Sequence, residues 1–114
     1  MSEWSELVSG VARERGVRAA VLASERDGLL VEGVAHVDVR TEALAAFGSA
    51  VYRRVRQAGA SLGLAETGLV TVDASDGRLW AVGRGELVLV VIAEREAAAG
   101  RLRLVMQRAV EGLA

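Results

Sequence analysis

Few residues of this chain are equipped for chemistry, and they cluster in short polar segments. The densest is Glu25-Arg26-Asp27-Gly28, two carboxylates and a guanidinium beside a glycine, set between the apolar runs 17–24 and 29–34. Paired carboxylates can divide general acid and base work. The same tetrad can also be a hairpin tip, because Asp and Gly tolerate the backbone of a tight turn. His36 is the only histidine, with Asp38 two residues away. A Ser-His-Asp arrangement would have to use it, but it falls in a connection and reads as a surface residue. Gly83-Arg84-Gly85 leads into an apolar run of strand type, so the helix dipole that completes an anion site is missing there. Asp73-Ala74-Ser75-Asp76-Gly77 has paired acids without the further ligands and glutamate of a calcium loop. All of these segments read as turns, with no catalytic, metal or cofactor site expected.

Composition narrows the classes further. The chain has 114 residues, 52% of them hydrophobic, and balances 14 basic against 15 acidic side chains. One domain spanning residues 1–114 with a buried core is expected. Near-neutral charge argues against binding nucleic acid by phosphate neutralisation. Four aromatic residues, Trp4, Phe47, Tyr52 and Trp80, are too few for a base-stacking platform. There is no cysteine, so disulfides, thiolate nucleophiles and Cys-ligated metals are excluded. Every basic residue is Arg; the missing lysine removes Schiff-base chemistry and the Walker-type phosphate loop. The acidic, amphipathic start MSEWSELV is unlike an export signal, and the strongest apolar run, Leu87 to Ala93, is too short to span a bilayer. A cytoplasmic protein without a membrane span is the expectation.

Eight elements carry these segments. Residues 3–15 read as a helix capped by Ser2, with Trp4, Leu7, Val8 and Val11 on one face. Strands follow at 17–24 and 29–34, and Thr41 is placed to cap a long helix over 42–61. Strands at 69–73, 78–83 and 87–93 and a helix over 97–113 complete the order α-β-β-α-β-β-β-α. The strands at 17–24 and 87–93 are apolar on both faces and belong at the centre of a sheet. With three hairpins, the antiparallel order that satisfies these demands is 2-1-5-4-3. The long helix covers one face and the terminal helices the other, an α/β (α+β) three-layer sandwich.

The middle helix carries the most information. An inner stripe of Leu44, Phe47, Gly48, Val51, Val55, Ala58 and Leu62 is expected, with Ala46, Ser49, Ala50, Arg53, Arg56 and Gln57 outward. After Glu42 the helix contains no acid but three arginines. The plain reading is a solvated face. The sharper one is an interface, with small residues admitting another helix and Arg53, Arg56 and Gln57 meeting an acidic partner. Leu104 lies off the inward stripe of the last helix and points weakly the same way. The third strand, LVTVD, is an edge with neither Pro nor Lys to blunt it. Pairing with its own copy would set two middle helices side by side about a twofold axis, with Ala46, Ala50, Val70 and Val72 in the interface.

In this order the segments GVRAAVLASERDGLLVEG, ALAAFGSAV and LVTVDASDGRLWAVGRGELVLVVIAEREAAAGRLRLVM resemble the Roadblock family, over about residues 3–112. Asp27-Gly28, Ala45-Ala46, Val91-Ile92 and Gly100-Arg101-Leu102 match its pattern. The bacterial members of this family include MglB-type regulators of Ras-like GTPases. The resemblance implies a Roadblock/longin/profilin-like fold and a homodimer joined through the third strand and the middle helix. It further implies a dimer surface that docks a small Ras-like GTPase and modulates its GTP hydrolysis without an inserted arginine finger. The alternatives are a dimeric scaffold that leaves nucleotide turnover unchanged and a small-molecule sensor. The sensor would need a polar internal cavity, whereas the Ala, Val and Leu content predicts a packed core.

Overall fold

The computed structural model describes residues 2–36 and 38–113. Its elements are α1 (Glu3–Ala12), β1 (Val17–Ser24), β2 (Leu30–Ala35), α2 (Thr41–Ser61), β3 (Val70–Ala74), β4 (Gly77–Arg84), β5 (Leu87–Ala93) and α3 (Ala99–Glu111). The five strands form one antiparallel sheet ordered β2-β1-β5-β4-β3, as the hairpin argument requires. Val37, inside the connection at 35–40, lies outside the described residues.

Strands β1 and β5 sit at the centre because both their faces are buried. On one face Ala20, Leu22, Leu89 and Val91 meet Val8 and Val11 of α1 and Leu102, Met106 and Val110 of α3. On the other, Ala19, Val21, Ala23, Val88 and Val90 meet Leu44, Ala45 and Tyr52 of α2. Helix termini follow local chemistry. Ser2 Oγ accepts the Ser5 N–H at 3.0 Å and caps α1. Thr41, by contrast, is the first residue of α2 rather than its cap; Arg40 occupies the cap position, and the Thr41 hydroxyl donates to the Glu42 carboxylate at 2.8 Å. Gly63, at φ 75°, ends α2 by turning the chain left-handed.

The orientation of α2 differs from the expected stripe. Leu44, Ala45, Gly48, Ser49, Tyr52 and Gly59 are buried, while Phe47, Val55 and Leu62 are 56%, 41% and 78% exposed. Ser49, expected outward, is 1% exposed, and its hydroxyl donates to the Ala46 carbonyl. The reason is proximity. A Cβ at Gly48 would lie 2.3 Å from Val90 Cγ1, and a Cβ at Gly83 of β4 would lie 2.5 Å from the Tyr52 ring. A helix this close to the sheet accepts only small side chains beneath it, with Leu44 and Tyr52 filling the margins. The remaining apolar residues recur at three- and four-residue spacing as a second stripe along the flank nearest β3.

Substitution of Gly48 therefore tests the packing directly. Gly48→Ala gains about 1 kcal/mol in helix propensity but forces overpacking against Val90 that costs about 1–3 kcal/mol. We expect a net loss of stability, read as a lower urea midpoint at unchanged m value; a raised midpoint would contradict the close approach.

Candidate partner-binding surface

The Glu25–Gly28 tetrad forms the β1–β2 turn and is docked on α2. Gly28 adopts φ 73°, and its N–H donates to the Ser24 carbonyl at 2.8 Å. The Leu29 N–H donates to Asp27 Oδ1 at 3.1 Å, and this bond holds the Asp27 carboxyl below its ordinary pKa. Gly28 is needed a second time for contact. A Cβ there would stand 3.0 Å from Ser49 Oγ and 3.3 Å from Ala46 Cα.

Arginines of α2 hold the same turn. Arg53 Nη1 donates to the Glu25 carbonyl at 2.7 Å and to the Arg26 carbonyl at 3.3 Å. Arg56 forms an ion pair with Glu25 and donates from Nε to Oε1 at 2.9 Å. The Glu25 N–H in turn donates to the Glu86 carbonyl in the β4–β5 turn at 2.9 Å. Glu25 is thus a docked turn residue; its side chain is 14% exposed against 44% for Arg56. The signal for this was present in the sequence. Helix α2 has Arg53, Arg54 and Arg56 and no acid after Glu42, so any carboxylate partner comes from outside the helix, as Glu25 does for Arg56.

The expected site residues divide accordingly. Arg53 and Arg56 stand on the edge of α2 facing the β1–β2 turn, and Gln57 and Ala46 are exposed on the same helix. Ala50 is half-buried. Arg54 is exposed and makes no ion pair among the described residues. Val70 and Val72 are half-buried on the α2 side of β3. The sequence reading missed the flank itself, where Phe47, Val55 and Leu62 are exposed and Val51 is half-buried.

That flank overlooks an open groove. Helix α2 packs on β1, β2, β5 and β4. Beside it, Val39, Ala43, Phe47, Val72, Leu79 and Ile92 line a groove of about 470 Å³. Edge strand β3 has a regular register along β4, with no bulge. Edge strand β2 has a bulge opposite Leu22/Ala23 and carries Glu32. Each edge carries one acid, Glu32 in β2 and Asp73 in β3, so the bulge decides, and β3 is the edge better suited to pairing.

The other chemistry-bearing residues serve the scaffold. His36 Nε2 lies 2.7 Å from the Ala12 carbonyl and donates to it, tying the end of β2 to the end of α1. Asp73 pairs with Arg78 across the β3–β4 hairpin. No group of three or more metal-ligating residues comes together among the described residues, and no helix there is long and apolar enough to cross a membrane.

Comparison with known proteins identifies this arrangement. The family model described as the Roadblock/LC7 domain matches residues 4–93, and the chain belongs to that family. It is similar to the crystal structure of a Roadblock/LC7 domain from Streptomyces avermitilis at 29% identity and a TM-score of 0.88, covering 98% of this chain and 95% of the other. It is also similar to Myxococcus xanthus MglB at 18% identity and a TM-score of 0.83, covering 98% and 94%, a likeness of fold. A relative in Methanocaldococcus jannaschii, an uncharacterized protein, is 24% identical over 99 residues, which is 87% of this chain and 86% of that one.

The two sets of arginine contacts give a graded expectation. Arg53→Ala removes charge-assisted bonds to two turn carbonyls and should cost about 1–3 kcal/mol. Arg56→Ala leaves the mostly buried Glu25 carboxylate without its ion-pair partner and should likewise cost about 1–3 kcal/mol. Arg54→Ala should stay within about 0.5 kcal/mol of the parent. Chemical denaturation of the three variants gives the ranking, and a loss at Arg54 equal to that at Arg53 would refute it.

Proposed function

We propose that this Roadblock/LC7 chain is a homodimeric regulator that binds a small Ras-like GTPase and modulates its nucleotide cycle. The supporting observation is the flank of α2. Phe47, Val55 and Leu62 are exposed on this helix, and Phe47 stands over the largely apolar groove beside β3. Full burial of such side chains is worth about 1.5–3 kcal/mol each. A second copy covers them while extending the sheet edge to edge, with Val70 and Val72 at the seam and Ala46 and Ala50 near the second helix. A symmetric contact of this kind closes on itself and leaves no further β3 edge open.

The GTPase is assigned by the resemblance to MglB-type regulators, and its contact is assigned to the opposite edge of α2. Arg53, Arg56 and Gln57 border the turn that Arg53 and Arg56 hold in place. These residues offer hydrogen-bond donors to an acidic partner but no general base or nucleophile. The activity proposed is therefore regulatory, with the hydrolytic chemistry supplied by the GTPase. No cofactor is invoked.

Two variants separate dimerisation from partner binding. Phe47→Arg should weaken the dimer by about 2 kcal/mol or more, roughly thirtyfold in Kd, with the circular dichroism of the monomer intact. Unchanged dimer affinity would exclude the α2 flank. The double variant Arg56→Ala/Gln57→Ala should stay dimeric and bind the cognate Ras-like GTPase on the order of tenfold more weakly. Parent-like binding would remove this site assignment. With the parent dimer at saturation, an unchanged GTP hydrolysis rate would favour a scaffold over a regulator of turnover.

A further inference from the structure

Where the β1–β2 turn, the C-terminal half of α2 and the β4–β5 turn meet, two hollows of about 680 Å³ and about 310 Å³ join into one open cleft. Both are lined by Glu25, Arg56 and Gly85. Hydrogen bonds fix the walls. Glu25 is tied to Glu86, Arg53 and Arg56. Tyr52 holds the Thr67 carbonyl at 3.2 Å, and its ring lies against Gly83. Gly85, at φ 63°, leaves its side of the cleft open, since a Cβ there would meet no atom within 4 Å.

The unused hydrogen-bonding capacity of the cleft is mainly that of guanidinium groups. Arg56 spends Nε and Nη2 on Glu25, and Arg53 spends Nη1 on the turn carbonyls. Nη1 of Arg56 and Nη2 of Arg53 have no partner among the described residues. Arg26 and Arg84 are exposed and make no ion pair among those residues. Glu66 lines only the larger hollow and Glu86 only the smaller, so one acid stands on each side of the shared middle. Guanidinium donors there suit a carboxylate, whereas a longer run of negative charge would meet Glu66 and Glu86. Ala60, Leu64 and Ala65 add an apolar wall in the larger hollow.

We propose that this cleft seats an extended segment of a partner protein in which a single carboxylate is flanked by apolar residues. The carboxylate lies between Arg56 and Arg84, and a neighbouring apolar side chain rests on Leu64. The two flanking glutamates disfavour a nucleic acid or any other continuous polyanion. The proposal shares Arg56 with the partner surface above. It stands, however, on the cleft of one chain and requires neither a second copy nor a nucleotide cycle.

Amide NMR of the isotope-labelled protein, titrated with the acetylated and amidated peptide Ser-Leu-Glu-Leu-Ser, tests it. Saturable shifts are expected at Leu64, Gly83, Arg84 and Gly85, with a Kd on the order of 1 mM. Replacing Glu by Gln in the peptide should weaken binding about fivefold, the worth of one exposed ion pair. Arg84→Gln, beside an exposed turn, should weaken it to the same extent and leave the rest of the spectrum unchanged. Pentaglutamate should bind no more tightly than the single-acid peptide, and Glu66→Gln should tighten its binding. Absent or scattered shifts, equal affinity for the Gln peptide, an unaffected Arg84→Gln variant or a preference for pentaglutamate would each overturn the proposal. No GTPase enters these titrations, so binding of a GTPase by the parent protein tests the regulatory reading independently.

Discussion

Helix α2 lies so near β5 that position 48 has room for a hydrogen atom and nothing larger, because Val90 occupies the space a Cβ would take. Everything on that side of the sheet adjusts to this approach. Ala45, Gly48 and Ser49 fill the narrow interval between helix and sheet, and Gly83 yields its place to the Tyr52 ring. Tyr52 in turn donates its hydroxyl to the Thr67 carbonyl at 3.2 Å, joining the helix to the segment that leads into β3. Burial is the main reason its phenol holds its proton above the ordinary pKa. Close packing leaves no place under the helix for Phe47, Val55 or Leu62.

The two edges of α2 consequently have opposite characters. Toward the β1–β2 turn, the helix satisfies itself within the chain. Arg53 meets the Glu25 and Arg26 carbonyls, Arg56 meets the Glu25 carboxylate, and Gly28 lets the turn come against Ala46 and Ser49. Toward β3, the helix carries the exposed Phe47 above a groove that no described segment fills. In the proposed assembly the first edge is the polar surface for recognition, its arginines held by the turn. The second offers largely apolar area beside an open strand edge, with Arg18, Arg40, Asp76 and Arg78 at the rim of the groove, which suits the contact between copies proposed above. In the proposed assembly these are separate tasks on one helix.

Much of this was legible in the sequence, and the exceptions have a common cause. The sheet order follows from β1 and β5 being apolar on both faces, and from three short turns whose residues permit hairpins. The turn at Gly28 follows from the need for φ above zero. The face of α2 that meets the sheet was not legible, because periodicity counts apolar residues and cannot weigh how near two backbones come. Two apolar stripes overlap on that helix. The one with the larger side chains suggests the core by hydrophobicity alone, yet the one with Gly48 and Ala45 occupies it. The role of Glu25 escaped for a related reason. Its counter-charge Arg56 is 31 residues away in the chain, and only the docking of the turn brings them together.

The claim that carries the rest is that β3 is an interior strand of a shared sheet. Amide hydrogen exchange measures this directly, since the β3 N–H groups that do not face β4 are bonded only if a second copy pairs with them. The account predicts slow exchange at those β3 amides, comparable to β4 and slower than the outward amides of the bulged β2 edge. Exchange at β3 as fast as at the β2 edge, in protein concentrated enough to associate, would contradict it.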